Sequence, residues 1–182
     1  MLSEYAESRK KIGDFSRRCQ AIMKRGEAFT LVDEVTIDVS KHFNYENYFS
    51  RLRSGKYGVI TFDHRINDAK FTSTVPLTAG ERYQAKIFMS TKWASTEELI
   101  TFCKTQKGAI LAGPHGLAIA VEHVDKVLLL CKLLVSFDPS DTHASRVTRI
   151  LSAGKCSTGS WEFSVHNGDW APGMFFILFF NA

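Results

Sequence analysis

Residues 83–93 are the part of the sequence that most constrains the fold. Ala85, Ile87, Met89 and Trp93 fall at every second position or a multiple of it, and the positions between them are mostly polar. A period of two is typical of a strand with one buried face. We therefore expect a strand here, with those four side chains on its inward face.

A helix with clear start and stop signals follows this strand directly. Ser95 and Glu98 form the S-x-x-E pattern of a capping box, and apolar residues from Leu99 onward provide one buried face. Gly108 ends the helix, because glycine readily takes the positive φ found after a helix C-terminus. The remaining segments must then supply further sheet and cover for this strand–helix unit.

Other segments with alternating or continuous apolar residues predict the remaining strands. They lie at residues 29–39, 57–63, 70–77, 117–124, 127–137, 161–167 and 174–180. In the first of them we expect Leu31, Val35 and Ile37 to face inward. The last is apolar on both faces, so it must be covered on both sides or form an oligomer contact.

Residues 117–124 and 127–137 are expected to form an antiparallel hairpin, with the second segment as the most buried strand. Periodicity alone also permits a buried helix over residues 127–137. The loop before them carries Gly113 and Gly116 on either side of His115. We interpret this loop as a connection to the hairpin, although two glycines about a histidine also fit a small site.

Another helix is predicted after residue 137. Asp138 suits the N-cap position and Pro139 the first helical position, which together form a strong start signal. Val147 and Ile150 belong to its apolar face, and Gly154 is expected to end it.

Composition supports a folded protein with a large apolar core. The chain has 182 residues, of which 45% are hydrophobic, and it contains 14 phenylalanines. We predict an α+β fold: a mostly antiparallel sheet with two or three covering helices and an N-terminal amphipathic basic helix. We expect residues 1–26 to be a basic arm and residues 27–182 a single globular domain, with the boundary at Gly26.

The positive charge of the chain is concentrated at its N-terminus. Residues 1–25 carry a net charge of +4, which equals the net charge of the whole protein. This local field points to an anionic partner, either lipid or nucleic acid. The residues expected to bind it are Arg9, Lys10, Lys11, Arg17, Arg18, Lys24 and Arg25.

The predicted N-terminal helix also has an apolar stripe. Phe15 and Ile22 are among the residues that recur at spacings of three and four. This stripe either inserts into a membrane surface or packs on the domain, and the sequence leaves both readings open.

A second basic and aromatic segment follows the first predicted strand. Aromatic side chains interleaved with arginine and lysine can stack on bases and neutralise phosphates of single-stranded nucleic acid. The same spacing also suits a short helix that packs inward. The residues concerned are Tyr45, Tyr48, Arg51, Arg53 and Lys56.

No motif in the sequence points to an enzyme, a metal site or a cofactor. The six histidines lack metal-ligand spacing, and a G-x-S-x-G motif is absent. Residues 154–160 contain Gly, Lys, Ser and Thr, but not in the order of a phosphate-binding loop. An acid–base site would have to join His64, His115 and His123. We therefore expect no enzymatic activity, while an uncharacterised intracellular enzyme or binding module remains an alternative.

Targeting signals are also missing. Residues 1–25 are charged throughout, unlike a secretory signal peptide, and no run of about twenty apolar residues could span a membrane. The four cysteines are far apart and without C-x-x-C pairing, which favours reduced thiols in an intracellular protein. Any membrane contact is expected to be peripheral, and secretion is not expected.

The lysine- and arginine-rich N-terminal segment, with residues 83–93 leading into residues 95–107, resembles the matrix proteins of rhabdoviruses, particularly those of plant-infecting members. The PPxY budding motif of that family is absent, because no two of the four prolines are adjacent. The resemblance implies a small structural protein of the virion and host cytoplasm. Such a protein binds nucleocapsid and the anionic inner face of a membrane, and it self-associates into homo-oligomers.

A second resemblance is to viral jelly-roll proteins, meaning small capsid proteins and plant-virus movement proteins. Residues 161–167 followed by residues 172–181 are similar to the closing pair of strands of those folds. This alternative implies RNA binding and assembly into cages or tubules.

Overall fold

The computed structural model describes residues 2–23, 27–42, 60–62, 75–123, 133–136, 138, 150–155, 161–166 and 169–182. The strands of these ranges are β1 (Phe29–Asp38), β2 (Ile60–Phe62), β3 (Arg82–Ser90), β4 (Leu133–Ser136), β5 (Ile150–Lys155), β6 (Trp161–His166) and β7 (Phe175–Asn181). The helices are α1 (Leu2–Met23), α2 (Thr96–Thr105) and α3 (Gly113–Glu122).

The seven described strands form one sheet in the order β1-β3-β7-β4-β5-β6-β2. Neighbouring strands are antiparallel except for the pairs β4–β7 and β2–β6, which are parallel. The fold is therefore α+β with a mostly antiparallel sheet, as predicted.

The sheet is covered by helices on both faces near its centre. On β7, Phe175, Ile177 and Phe179 join the apolar cluster that includes side chains of α1 and α3. Phe176 and Leu178 alternate with them and join the cluster that includes α2. The strand that is apolar on both faces is thus covered on both sides within one chain, because its neighbours β3 and β4 place it in the interior of the sheet.

The strand–helix unit that dominates the sequence is present, but its strand ends at Ser90 and not at residue 93. Ser95 Oγ accepts a hydrogen bond from the Glu98 backbone N–H at 3.2 Å, and the Glu98 carboxylate accepts one from the Ser95 N–H at 2.8 Å. Leu99 and Cys103 are fully buried on the inner face of α2. The helix α2 ends at Thr105 with Gln106 as its C-cap, earlier than predicted. Gly108, whose φ is 79°, lies in the next turn, which the Ala109 N–H closes by donating to the Gln106 carbonyl at 3.0 Å.

The predicted hairpin over residues 117–124 and 127–137 is wrong. Residues Gly113–Glu122 form the helix α3, and β4 pairs with β5 and β7 instead. Nine consecutive residues of α3 are buried, so its sequence shows no polar face from which a helical period could be recognised. Residues 124–132 lie outside the described ranges.

The predicted helix from Asp138 to Gly154 is wrong at its C-terminal end. Residues Ile150–Lys155 form β5, which lies between β4 and β6. Ile150 and Leu151 suit a strand as well as a helix, and the pairing on both sides decides between them. Residues 139–149 are not among those described.

In the first half of β1, the side chains that face the core are not the ones that simple alternation predicts. Leu31 is 41% exposed, whereas Val32 is 5% exposed. The register with β3 shifts between Leu31 and Asp33, as in a β-bulge, and one extra residue reverses the facing of the residues before it. Ile37, beyond the bulge, is fully buried as predicted.

Two strand predictions are confirmed only in part. These are the segments 57–63 and 161–167, which are strands where they are described, as β2 and β6. The predicted strand at 70–77 is not confirmed, because residues 75–77 are not in a strand and residues 70–74 are outside the described ranges. The two segments that carry the jelly-roll resemblance are the strands β6 and β7, and β4 and β5 lie between them in the sheet. A jelly roll packs two sheets together, whereas the described strands form one sheet between helices.

Candidate functional site

The apolar stripe of α1 lies in the core of the protein. Phe15 and Ile22 are only 5% and 8% exposed, and Cys19 packs beside them. The Phe15 ring lies 5.7 Å, centroid to centroid, from the Phe175 ring of β7. The sequence left open whether this stripe inserts into a membrane surface or packs on the domain, and the structure shows that it packs on the domain. In the folded chain these side chains are not presented for insertion into lipid.

The opposite side of α1 carries exposed basic residues. Lys10 and Arg17 are exposed there, while Arg18 is exposed at the edge of the apolar stripe, where its guanidinium lies over the Phe15 ring. Lys10 and Arg17 are seven positions apart, as are Phe15 and Ile22, and the helical rise and twist separate the two pairs by about 140° around the axis. Packing one pair into the core therefore directs the other toward solvent.

Two of the described basic side chains of α1, Arg17 and Arg18, make exposed contacts within the helix. Arg17 forms an ion pair with Asp14, and both side chains are largely exposed. The Arg18 guanidinium carbon lies 5.8 Å from the centroid of the Phe15 ring. An exposed pair three residues apart on a helix contributes about 0.5 kcal/mol or less, so it would yield readily to a phosphate.

The other predicted anion-binding residues are only partly placed. Arg9 and Lys11 belong to α1, but their side chains are not described, and Lys24 and Arg25 lie outside the described residues. The second basic and aromatic segment is also outside them. Its members are Tyr45, Tyr48, Arg51, Arg53 and Lys56. The role of these residues stays a prediction.

The histidines of the described region are not brought together. His115, on α3, is 3% exposed, and its Nδ1 accepts a hydrogen bond from the Leu77 N–H at 2.7 Å. His123 Nε2 lies 3.0 Å from the carbonyl oxygen of Asp38. The two histidines are eight positions apart, about 12 Å along a helix, and each contacts a different backbone segment. His64 is not described, so the proposed acid–base trio is not assembled here.

Burial sets the protonation of His115. The pKa of its imidazole is lowered to about 4 because the charged form would be desolvated. Since Nδ1 accepts the Leu77 hydrogen bond, the neutral ring must carry its proton on Nε2. His115 therefore connects residues 75–80 to α3 in its neutral form.

The glycines on either side of His115 allow close packing. A Cβ at Gly113, whose φ is 52°, would lie 2.9 Å from the Cβ of Asp138. A Cβ at Gly116 would lie 2.7 Å from the Phe179 ring and 2.8 Å from Ser136 Oγ. This hydroxyl is buried and has no hydrogen-bond partner among the described atoms. The space is filled by protein, so this arrangement serves packing of α3 on β4 and β7 and not ligand binding.

Metal and thiol chemistry find no support in the described ranges. No group of three or more His, Cys, Asp or Glu side chains is placed there to hold a metal ion. Burial raises the pKa of the Cys103 thiol far above its usual value, which makes it unreactive. Burial also raises the pKa of Cys19. No helix in these ranges combines the length and apolarity needed to cross a bilayer.

One exposed aromatic residue was misplaced by the sequence pattern. Trp93 was expected on the inward face of the strand, but β3 ends at Ser90 and Trp93 is 69% exposed. The backbone on either side is held: Ser90 Oγ donates to the Lys92 carbonyl at 2.6 Å, and Ala94 pairs with Trp170 through two backbone hydrogen bonds. Ser95 is the N-cap of α2, so the start signal of this helix would have indicated that the strand alternation stops before it.

Comparison of the chain with known protein families, with curated proteins and with solved structures finds no match. The resemblances to viral matrix and jelly-roll proteins therefore receive neither support nor contradiction from relatives.

Proposed function

We propose that this protein is a non-enzymatic structural protein of the matrix type. In this proposal the basic face of α1 binds a phosphate-rich partner, either nucleocapsid RNA or the surface of an anionic membrane, and the globular domain self-associates. The protein would act in the virion and host cytoplasm, with peripheral membrane contact.

The observation that carries the proposal is the division of α1 into two faces. Phe15 and Ile22 anchor the helix to the sheet, while Lys10, Arg17 and Arg18 are exposed on the rest of its surface. A helix held in this way fixes the backbone positions of these cations, so no backbone entropy is lost when a phosphate binds. Arginine also suits phosphate because its guanidinium group donates two parallel hydrogen bonds.

The burial of the apolar stripe also specifies the mode of binding. Without Phe15 and Ile22 available for insertion, attraction must come mainly from charge. Binding should therefore weaken steeply with salt, since each phosphate neutralised releases counterions.

The test is charge reversal on α1. We expect the triple variant Lys10→Glu, Arg17→Glu, Arg18→Glu to bind single-stranded RNA or anionic liposomes at least about 10-fold more weakly at low salt, with a shallower salt dependence. The measurement is fluorescence anisotropy with labelled RNA, together with flotation on anionic and neutral liposomes across a salt series. The RNA and lipid arms distinguish the two sources of phosphate.

The matched control reverses three exposed lysines away from α1: Lys41→Glu, Lys104→Glu and Lys107→Glu. It makes the same change in net charge and should retain most of the binding. Equal losses in both triple variants would mean that only net charge matters. Unchanged binding in the α1 variant would contradict the proposal.

A further inference from the structure

Trp93 is the most exposed of the large hydrophobic side chains in the described residues. It does not project from a long loop, because hydrogen bonds of Ser90 with Lys92 and of Ala94 with Trp170 hold the backbone on both sides. An aromatic residue held rigidly in solvent can make a large apolar contact with little further loss of conformational entropy. Such residues dominate the energetics of protein interfaces.

The charges around Trp93 are mainly acidic. Glu97 and Glu98 begin the helix α2 that follows it, and Asp169 adjoins Trp170, whose backbone pairs with Ala94. Lys92 is the basic residue beside them, and its charge acts on Glu98. All four charged side chains are exposed. Among the described residues this surface, which we name the Trp93 surface (Lys92, Trp93, Glu97, Glu98 and Asp169), carries a net charge of −2.

This charge selects the kind of partner. RNA or an anionic membrane would be repelled by the Trp93 surface, despite the stacking ability of tryptophan. A basic partner suits both the charge and the tryptophan of this surface. The carboxylates attract it, and the indole ring is the best aromatic acceptor for arginine or lysine in a cation–π contact.

The chain itself contains a surface of that chemistry. Lys10, Arg17 and Arg18 are exposed on α1. Lys10 and Arg17 lie on the side of the helix that faces away from the sheet, and Arg18 lies between that side and the buried stripe. The helix α2, which starts beside Trp93, packs on the other face of the sheet. The basic face of α1 is therefore directed away from the Trp93 surface of the same chain, but it is available to another copy.

We propose that the Trp93 surface is the docking site for the basic face of α1 of a second copy of this chain. The inference rests on the self-association in the proposed function and assigns its two complementary surfaces. Because the surfaces differ, the contact is heterologous, and repeated contacts give a ring or an open filament. A polyanion bound to α1 would compete with this contact.

The experiment is analytical ultracentrifugation of the full chain over a concentration series at low and high salt. We expect wild-type protein to self-associate at low salt and less at high salt. Trp93→Ala should weaken self-association at least about 10-fold, and Trp93→Phe should weaken it less because a ring is retained. Two further variants, Glu97→Lys with Asp169→Lys and Arg17→Glu with Arg18→Glu, should each weaken it as well.

The decisive arm mixes these last two double variants. The reversed Trp93 surface of one variant then faces the reversed α1 of the other, and each unreversed surface also meets a partner of opposite charge. Association should return in the mixture. No return in the mixture, a monomeric wild-type protein, or undiminished association of Trp93→Ala would each overturn the inference.

The RNA and liposome assays separate this inference from the proposed function. Trp93→Ala keeps the basic residues of α1, so it should bind RNA or anionic liposomes at least as tightly as the wild type. Loss of self-association with retained anion binding supports both ideas. Retained self-association with normal anion binding overturns only the docking site. Circular dichroism checks that the variants are folded.

Discussion

The helices α1 and α3 pack on the same face of the sheet but differ in what they present to solvent. α1 buries a stripe that includes Phe15 and Ile22 and exposes basic residues on its other side. In α3, nine of the ten residues are buried, from Gly113 to Val121. An amphipathic helix can serve the core and a binding surface together, whereas a helix buried on all sides serves the core alone. Of these two helices, α1 is therefore the one that offers a candidate binding surface.

The largest expected effect tests whether α1 is part of the folded core. Phe15→Ala removes a side chain that is 5% exposed and in ring contact with Phe175, so we expect a loss of about 3 kcal/mol in the free energy of unfolding. The matched variant Met23→Ala, at a position 46% exposed on the same helix, should change it by about 0.5 kcal/mol or less. Urea unfolding measures both. Similar small values for the two would mean that α1 is not held on the sheet.

The next effect concerns the buried histidine of α3. Its pKa is about 4 in the folded chain and should be near the ordinary 6.5 in the unfolded chain. Between these values the unfolded chain binds one more proton, so stability is complete above pH 6.5 and falls as the pH is lowered toward 4. The difference in pKa corresponds to at most about 3 kcal/mol.

Unfolding curves measured from pH 7 to pH 4 check this dependence. His115→Gln should remove most of the loss of stability in that window. His42→Gln, at an exposed position, should retain it. The same pH dependence in both variants would mean that other groups are responsible.

Glycine-to-alanine substitutions compare the packing of the two helices directly. At Gly116 the added Cβ would overlap the Phe179 ring and Ser136 Oγ, so we expect Gly116→Ala to destabilise the protein by about 2 kcal/mol. Thermal and urea unfolding measure the change. A neutral or stabilising result would show that α3 is less closely packed than the structure indicates.

The smallest effect has the opposite sign. Among the described residues, no atom apart from the adjacent residues and the backbone of α1 itself lies within 4 Å of a Cβ at Gly13, which is in the interior of this helix. Gly13→Ala should therefore stabilise the protein by up to about 1 kcal/mol through helix propensity. Destabilisation by this substitution would place an undescribed segment against that side of α1.

The sequence predicted best where local signals were strong. The capping box of Ser95 and Glu98 and the alternation before it placed α2 and β3, because both depend on residues close together in the chain. Residues 113–122 were misassigned because an apolar run without a polar face is compatible with either a helix or a strand. A one-residue bulge after Leu31 places this side chain on the exposed face of the strand. No residue type near it in the sequence predicts a bulge.

For the candidate site, too, local features could be predicted from the sequence and long-range contacts could not. The basic residues of α1 and their opposition to an apolar stripe could be read from spacing and charge. The choice between insertion and packing of that stripe could not, because it depends on whether Phe175 and its neighbours lie beneath it. The Trp93 surface was missed, since the alternation was continued three residues beyond the end of β3.

The sequence by itself determined the α+β class, the strand–helix unit and the presence of a basic amphipathic helix, because periodicity, caps and charge are local properties. The tertiary structure alone decided the order of the strands, the helical state of residues 113–122 and the burial of Phe15. It also decided which residues surround Trp93. These features depend on contacts between segments far apart in the chain, whose energies enter only when the segments meet.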